Sequence, residues 1–302
     1  MLAIVIPYFK EAFFEDTLAS LAGQSDHRFK VYIGNDAGKV SPLPLLEKYK
    51  GMFDCYYKGF SENIGSKSLV KQWERCIALT ENEEWIMILG DDDVLGDNVV
   101  STFYENIADI KTRKASVIRY ASIVIDGSGN EVSSIFTHPV LESPQDFMIR
   151  KLCGKTRSSL SEYIFSREAM QKVKFRDLPL AWNTDLLAVF EFSLGNKIFT
   201  INEAKVFFRV SGMNLTSLSE NHKLKSHATF QFMLHLMKSW LHTFDAVQRE
   251  ILFDRLEKTF LNNKKNIYFW MQMSWFYLQR FYVKRYILFL LKFIHAAREK
   301  YR

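Results

Sequence analysis

Three consecutive aspartates, Asp91, Asp92 and Asp93, follow the apolar run Trp85-Ile86-Met87-Ile88-Leu89-Gly90. Carboxylates this close repel one another, and each resists ionising in a dry site. A hard divalent cation relieves that conflict, because it takes oxygen ligands and brings substrate phosphates with it. The competing reading is a solvated acidic turn with Asp97 nearby. A further acid, Asp36, follows the apolar run Phe29–Gly34, next to Asn35. Asp185 precedes a helical run of Leu186, Leu187, Val189, Phe190 and Phe192, where a carboxylate also serves as a cap.

These acids need elements to hold them. Leu2 to Pro7 reads as a fully buried strand, Phe29 to Gly34 as a second, Phe53 to Tyr57 as a third and Trp85 to Leu89 as a fourth. Between them, Phe14, Leu18 and Leu21 recur at helical spacing and stop at Gly23. A short helix is expected near Leu45 to Tyr49. An amphipathic one carries Leu69, Val70, Trp73, Cys76 and Ile77, introduced by the turn Asn63-Ile64-Gly65. Strand–helix alternation predicts an α/β fold with a mostly parallel sheet covered by helices. Ligands of such sheets sit outside the carboxyl ends of the strands, so Asp36 and the triplet share one crevice. Further strands are expected at Ala115–Ile125, Leu160–Ser166, Ile198–Ile201 and Ala204–Val210, with a helix over Arg167–Val173. Beyond about Ser219 the pattern is helical almost throughout.

The chain has 302 residues, 48% hydrophobic and 25% charged, which is enough for a sizeable core. Cys55, Cys76 and Cys153 form neither a zinc signature nor a disulfide framework, which favours a reducing, cytoplasmic setting. Leu2 to Tyr8 is too short for a signal peptide, and no cationic segment precedes it. The net charge of +6 is uneven. Lys258 to Arg302 holds ten Lys/Arg and one Asp/Glu, whereas Met1 to Glu257 holds 30 basic and 33 acidic residues.

The segments IVIPYFK, GNDAG, SENIGS, WIMILGDDDVL, AWNTDLL and FFRVSGMNLTS, in that order, resemble the inverting family-two glycosyltransferases. The resemblance covers roughly Met1 to Thr216. It implies a GT-A fold in a catalytic domain over residues 1–218, followed by a helical region over residues 219–302. It also implies sugar transfer from a nucleotide diphosphate, UDP above all, to a hydroxyl of a glycan or lipid-linked saccharide.

On this resemblance the turn at Pro7, Tyr8 and Phe9 holds the nucleotide base, and Asp36 accepts a hydrogen bond from the uracil imide. Packing and an ordinary turn are the competing roles for these residues. Asp93 aligns with the metal ligand for Mg2+ or Mn2+, and Asp92 with its neighbour facing the ribose or the metal. Asp91 fills the variable place in the spaced-acid pattern, while Gly90 stands where many members have their first aspartate. The cation would stabilise charge on the departing diphosphate. Asp185 matches the general base, with Thr184 where the family has glutamate. Ser211 stands about where a loop over Arg209–Thr216 often carries histidine. Asn63, Lys67, Lys71 and Arg209 are further candidates for nucleotide or diphosphate contact, the three cations with a solvated surface role as their rival. Trp182 either stacks on an acceptor sugar or packs in the core. His222, His227 and His235 read as structural or surface residues.

The tail from Lys258 to Arg302 interleaves cations with aromatics. Arg280, Lys284, Arg285, Lys292, His295 and Arg298 fall on one side of an ideal helix, opposite a broad apolar arc. That pattern suits an interfacial helix on anionic lipid at the inner face of the plasma membrane. The rival roles are packing on the protein and dimer contact. The arc is too broad and aliphatic for a nucleic-acid groove. Two other functions compete with the transferase: a sugar nucleotidyltransferase and a catalytically silent, membrane-associated assembly protein. The first wants a Gly-rich basic loop after the first strand, which Tyr8-Phe9-Lys10-Glu11 is not. Intact Asp93 and Asp185 speak against the second.

Overall fold

The structure, a computed structural model, describes residues 1–212 and 221–298. The described residues fall into two compact units, one within Met1–Ser219 and one within Glu220–Arg302. The expected loop residues beyond Gly212, up to Thr216, lie outside the described part.

The first unit is built on one sheet of β1 (Leu2–Tyr8), β2 (Phe29–Asn35), β3 (Asp54–Gly59), β4 (Trp85–Ile88), β5 (Val94–Leu95), β6 (Val117–Ile125), β7 (Leu141–Glu142), β8 (Tyr163–Ser166) and β9 (Ile198–Arg209). Their order is β3-β2-β1-β4-β8-β6-β9-β5, with β7 also on β9. Leu2 to Ile6 are wholly buried, which is why β1 reads as an unbroken apolar run. Pairing is parallel from β3 through β2 and β1 to β4, and again between β6 and β9. β8 runs antiparallel to both β4 and β6. The ends of β1, β2, β4, β6 and β9 therefore meet the beginning of β8 at one edge.

Among the described residues, seven helices cover this sheet: α1 (Phe14–Ala22), α2 (Leu43–Lys48), α3 (Leu69–Ile77), α4 (Val99–Thr112), α5 (Pro144–Leu152), α6 (Arg167–Val173) and α7 (Thr184–Phe192). α3 begins where the Ser68 hydroxyl accepts from Lys71 N. It then packs directly on β2, because Gly34 has no side chain to collide with the Cys76 thiol.

Two expectations are redrawn. The two strands predicted over Ile198–Val210 are the single β9, whose register against β6 shifts between Tyr120 and Ala121. That irregularity releases Asn202 to pair with the backbone of His138, from N–H and to C=O, at 3.1 and 2.8 Å. The strand predicted from Leu160 begins as a 3-10 turn over Leu160–Glu162 and becomes extended only at Tyr163.

The second unit has α8 (His222–Trp240), α9 (Ala246–Leu261), α10 (Ile267–Gln279) and α11 (Val283–Arg298). A capping box of Asp245 and Gln248 starts α9, and the Asn266 side chain starts α10. The single interfacial helix expected from residue 258 onward is thus divided among three helices. Their inner faces form an aromatic core. Phe230 stacks on Phe269 at 3.9 Å, and Phe260, Phe276, Tyr277 and Phe289 are buried beside them. Arg285 and Lys292, expected on a lipid-facing side, instead reach the acids of α9. Lys292 lies 2.7 Å from buried Glu257, and Arg285 bonds Glu250. No helix among the described residues is long and apolar enough to cross a membrane.

Candidate active site

The acid triplet leaves β4 into the edge where the other strand ends gather. Its three members have different surroundings. Asp91 Oδ2 accepts from the backbone N–H groups of Phe9 and Lys10, both at 2.8 Å, and so ties the triplet to the turn after β1. Asp93 is almost fully buried. Its Oδ1 accepts from the Arg209 N–H at 2.9 Å, and its Oδ2 from the Ser161 hydroxyl. Asp92 lies between them and is half-buried. Burial raises the pKa of all three. Asp93 is pushed up to about 6, with Ser161 and the Arg209 N–H opposing the rise. Asp92 is pushed up to about 8, first by burial and then by the neighbouring carboxylates of Asp93 and Asp91. The conflict inferred from sequence is thus concentrated on Asp92.

Gly90 explains how three carboxylates fit. A Cβ there would stand 2.9 Å from Asp93 Oδ2 and 3.1 Å from Asp92 Oδ1. The missing first aspartate is therefore a steric requirement of this arrangement. Gly90→Ala should lower the melting temperature by several degrees and reduce any ligand-induced stabilisation, both measurable by thermal shift. An unchanged melting curve would count against the close packing.

Asp36 sits at the end of β2, buried, and is held from two sides. Ile64 N donates to Oδ1 at 2.8 Å and Gly65 N to Oδ2 at 2.9 Å. Arg75, on α3, pairs with Oδ1 and lies over the Phe60 ring at 3.8 Å. The loop SENIGS thus serves to clamp Asp36. Gly65 is required because a Cβ would strike the Asp36 carboxylate. Asn63 closes the same loop by accepting from Ser66 N at 2.9 Å. Lys67 and Lys71 are exposed. The backbone N–H of Asp36 donates to Tyr8 O at 2.9 Å, so Asp36 and Asp91 flank the same turn. In that turn Tyr8 is wholly buried against Phe14 and donates to Val40 O, whereas Phe9 is 41% exposed. Pro7 pairs with Gly34 inside the sheet.

Asp185 lies in the first turn of α7, after Asn183, whose side chain makes no cap bond. The helix starts at Thr184, so Asp185 is inside the first turn and does not serve as the N-cap. Leu180, Ala181 and Asn183 all have left-handed backbone angles, φ 59°, 51° and 66°. Such a run of non-glycine residues is strained, and strain of this kind gathers at sites that must aim a side chain. Half-buried Trp182 sits within it. Burial pushes the Asp185 carboxyl up, while the Leu186 N–H and the Lys151 ammonium oppose this.

Arg157 bears a charge that favours the ionised form of both Asp93 and Asp185. It is held by Glu162 at 3.1 Å and Ser122 at 3.0 Å, and lies 4.4 Å over the Phe208 ring. Arg209, expected on the diphosphate, is buried with its guanidinium engaged by the protein. It donates to Asp16 at 2.7 Å, to Asp92 O at 2.9 Å and to Asp126 O at 3.2 Å. That geometry makes it a strut beneath the triplet.

Arg75, Lys151, Arg157 and Ser161 escaped the sequence reading. None belongs to a motif, and Ser161 and Asp93 are 68 positions apart. Among the described residues, no group of three or more His, Cys, Asp or Glu side chains is placed to hold a metal ion.

The sequence matches no protein-family model and no curated protein. The fold is similar to solved structures of Staphylococcus aureus TarS. TarS 1-349 in complex with UDP-GlcNAc superposes with a TM-score of 0.66 at 16% identity, over 86% of this chain and 72% of that one. The same fragment in complex with UDP gives 0.62 at 16% identity, over 86% and 71%. A longer TarS structure gives 0.62 at 17% identity, over 86% of this chain and 43% of that one.

Proposed function

We propose that this chain is an inverting glycosyltransferase that moves a sugar, a hexose in type, from a UDP-sugar to a hydroxyl of a glycan or lipid-linked saccharide in cell-surface polysaccharide synthesis. One observation carries this reading: at a single sheet edge, Asp36 and the triplet flank the turn after β1, Asp36 through Tyr8 O and Asp91 through the Phe9 and Lys10 N–H groups. The shared fold with structures that hold UDP and UDP-GlcNAc supports it.

Asp36 supplies a carboxylate beside the Arg75 guanidinium, which suits the imide edge of uracil. Exposed Phe9 offers a ring to the base. Mg2+ or Mn2+ fits the triplet through Asp92 and Asp93, where burial and then neighbouring carboxylates raise the pKa of each. One or two carboxylates suffice for such a cation when the substrate brings phosphates. The cation would supply charge stabilisation for the departing diphosphate. Asp185 takes the proton from the acceptor hydroxyl as that oxygen bonds to the anomeric carbon. The bond from that carbon to the diphosphate oxygen breaks on the opposite face, and UDP leaves with the electron pair. A carboxylate raised by burial is the stronger base for this step.

A thermal-shift screen of nucleoside diphosphate sugars with Mn2+ and Mg2+ tests the reading. UDP-sugars should raise the melting temperature by several degrees and other nucleotides by less. Stabilisation by no nucleotide, with or without cation, would overturn it.

A further inference from the structure

We propose that the outer face of α10 and α11 is a docking surface for an anionic lipid bilayer, with the two helices lying in the interface plane. On α10, Met271, Trp275 and Leu278 recur at helical spacing and are 50–66% exposed. On α11, Ile287, Leu291 and Ile294 also recur at helical spacing and are 44–58% exposed. The opposite faces already fill the core, with Phe269, Met273, Phe276, Tyr277 and Phe289 buried. The outer side chains are therefore not needed for folding of this unit. A soluble surface seldom presents so many together. Between the helices, Phe281 projects at 87% exposure on a left-handed backbone, φ 56°.

Charge selects the occupant. No Asp or Glu occurs from Lys258 to Arg298, and exposed Lys265, Arg280 and Lys284 border the apolar face. Two copies docked face to face would bring these cations together, while the acids Glu250, Asp254 and Glu257 of α9 are already paired with Arg285 and Lys292. An anionic headgroup layer complements them, and Trp275 and Phe281 suit its depth. α10 and α11 have 13 and 16 residues, too short to span a bilayer but long enough to lie on it. Arg285 and Lys292 are turned toward α9, so apolar insertion contributes more than charge here.

Flotation of the full chain with vesicles tests this. Vesicles of phosphatidylcholine with phosphatidylglycerol should carry the protein upward, and pure phosphatidylcholine should carry less. Trp275→Ser with Phe281→Ser should weaken partitioning roughly tenfold or more with an unchanged circular dichroism spectrum, since both side chains are exposed. Absence of flotation with anionic vesicles would overturn the proposal, as would flotation indifferent to the double substitution. A dimer in light scattering that the same substitutions disperse, without vesicle binding, would assign the face to a second copy.

Discussion

Asp185→Asn should leave a folded protein that binds its UDP-sugar normally but transfers the sugar roughly a thousandfold more slowly. The amide keeps the shape and the position in the first turn of α7 but cannot take a proton. The loss should fall on kcat with KM for the donor little changed, because the role proposed for Asp185 is on the acceptor hydroxyl. Steady-state kinetics with calorimetric donor binding checks this, and retained turnover would remove Asp185 as base. The pH profile offers a second check. Burial holds the Asp185 pKa above the ordinary carboxylate range, so the acid limb of kcat/KM should lie above that range as well. Lys151 favours the charged carboxylate, so Lys151→Met should move that limb to still higher pH. A limb that does not move would show that Lys151 is too far from the base to matter.

Asp92→Asn should change stability and activity in opposite directions. The folded-state pKa of Asp92, about 8, lies above its unfolded value. Folding therefore retains a proton that the unfolded chain releases as pH rises. The resulting penalty is absent below about pH 4, where both states hold the proton, grows as pH rises, and levels off once pH passes about 8. Asparagine carries no such penalty. Without ligands the variant should therefore melt several degrees above the parent at pH 8, with the difference shrinking toward pH 4. With Mn2+ and UDP the order should reverse, because the variant loses a proposed ligand of the cation. Thermal shift at several pH values, with and without Mn2+ and UDP, reads both effects. Equal cation-dependent stabilisation in the two proteins would return the ligand role to Asp93. Such an exchange of stability for function is expected where like charges are held together for a ligand.

Much of this was legible along the chain. The apolar runs at Leu2–Pro7, Phe29–Gly34 and Trp85–Leu89 predicted the parallel half of the sheet, because strands buried on both faces cannot carry polar residues. Once those strands are parallel, Asp36 and the triplet must emerge at the same edge. Asp185 was legible as the start of a helix. Less was visible of the antiparallel half. β8 is short and follows a 3-10 turn, and β9 conceals a register shift that no local pattern announces.

The roles within the site were decided by packing. Sequence placed Asp93 first among the three acids; packing sets Ser161 and the Arg209 N–H against its oxygens, while burial and the neighbouring carboxylates raise the Asp92 pKa to about 8. Arg209 was expected at the diphosphate and lies beneath the triplet. Arg75 carried no signal in α3, yet it completes the Asp36 end. In the tail, composition alone could not distinguish cations facing lipid from those facing α9. Glu250, Asp254 and Glu257 drew Arg285 and Lys292 inward, and the aromatics sorted between core and surface.

The amino-acid sequence by itself determined which strands form and which carboxylates reach their ends, because hydrophobic periodicity and turn chemistry act over a few neighbouring residues. Tertiary structure alone decided which of those carboxylates is neutralised, which cation is buried and which apolar face stays outside. Burial and charge pairing depend on residues far apart in the chain, and only folding brings them within range of one another.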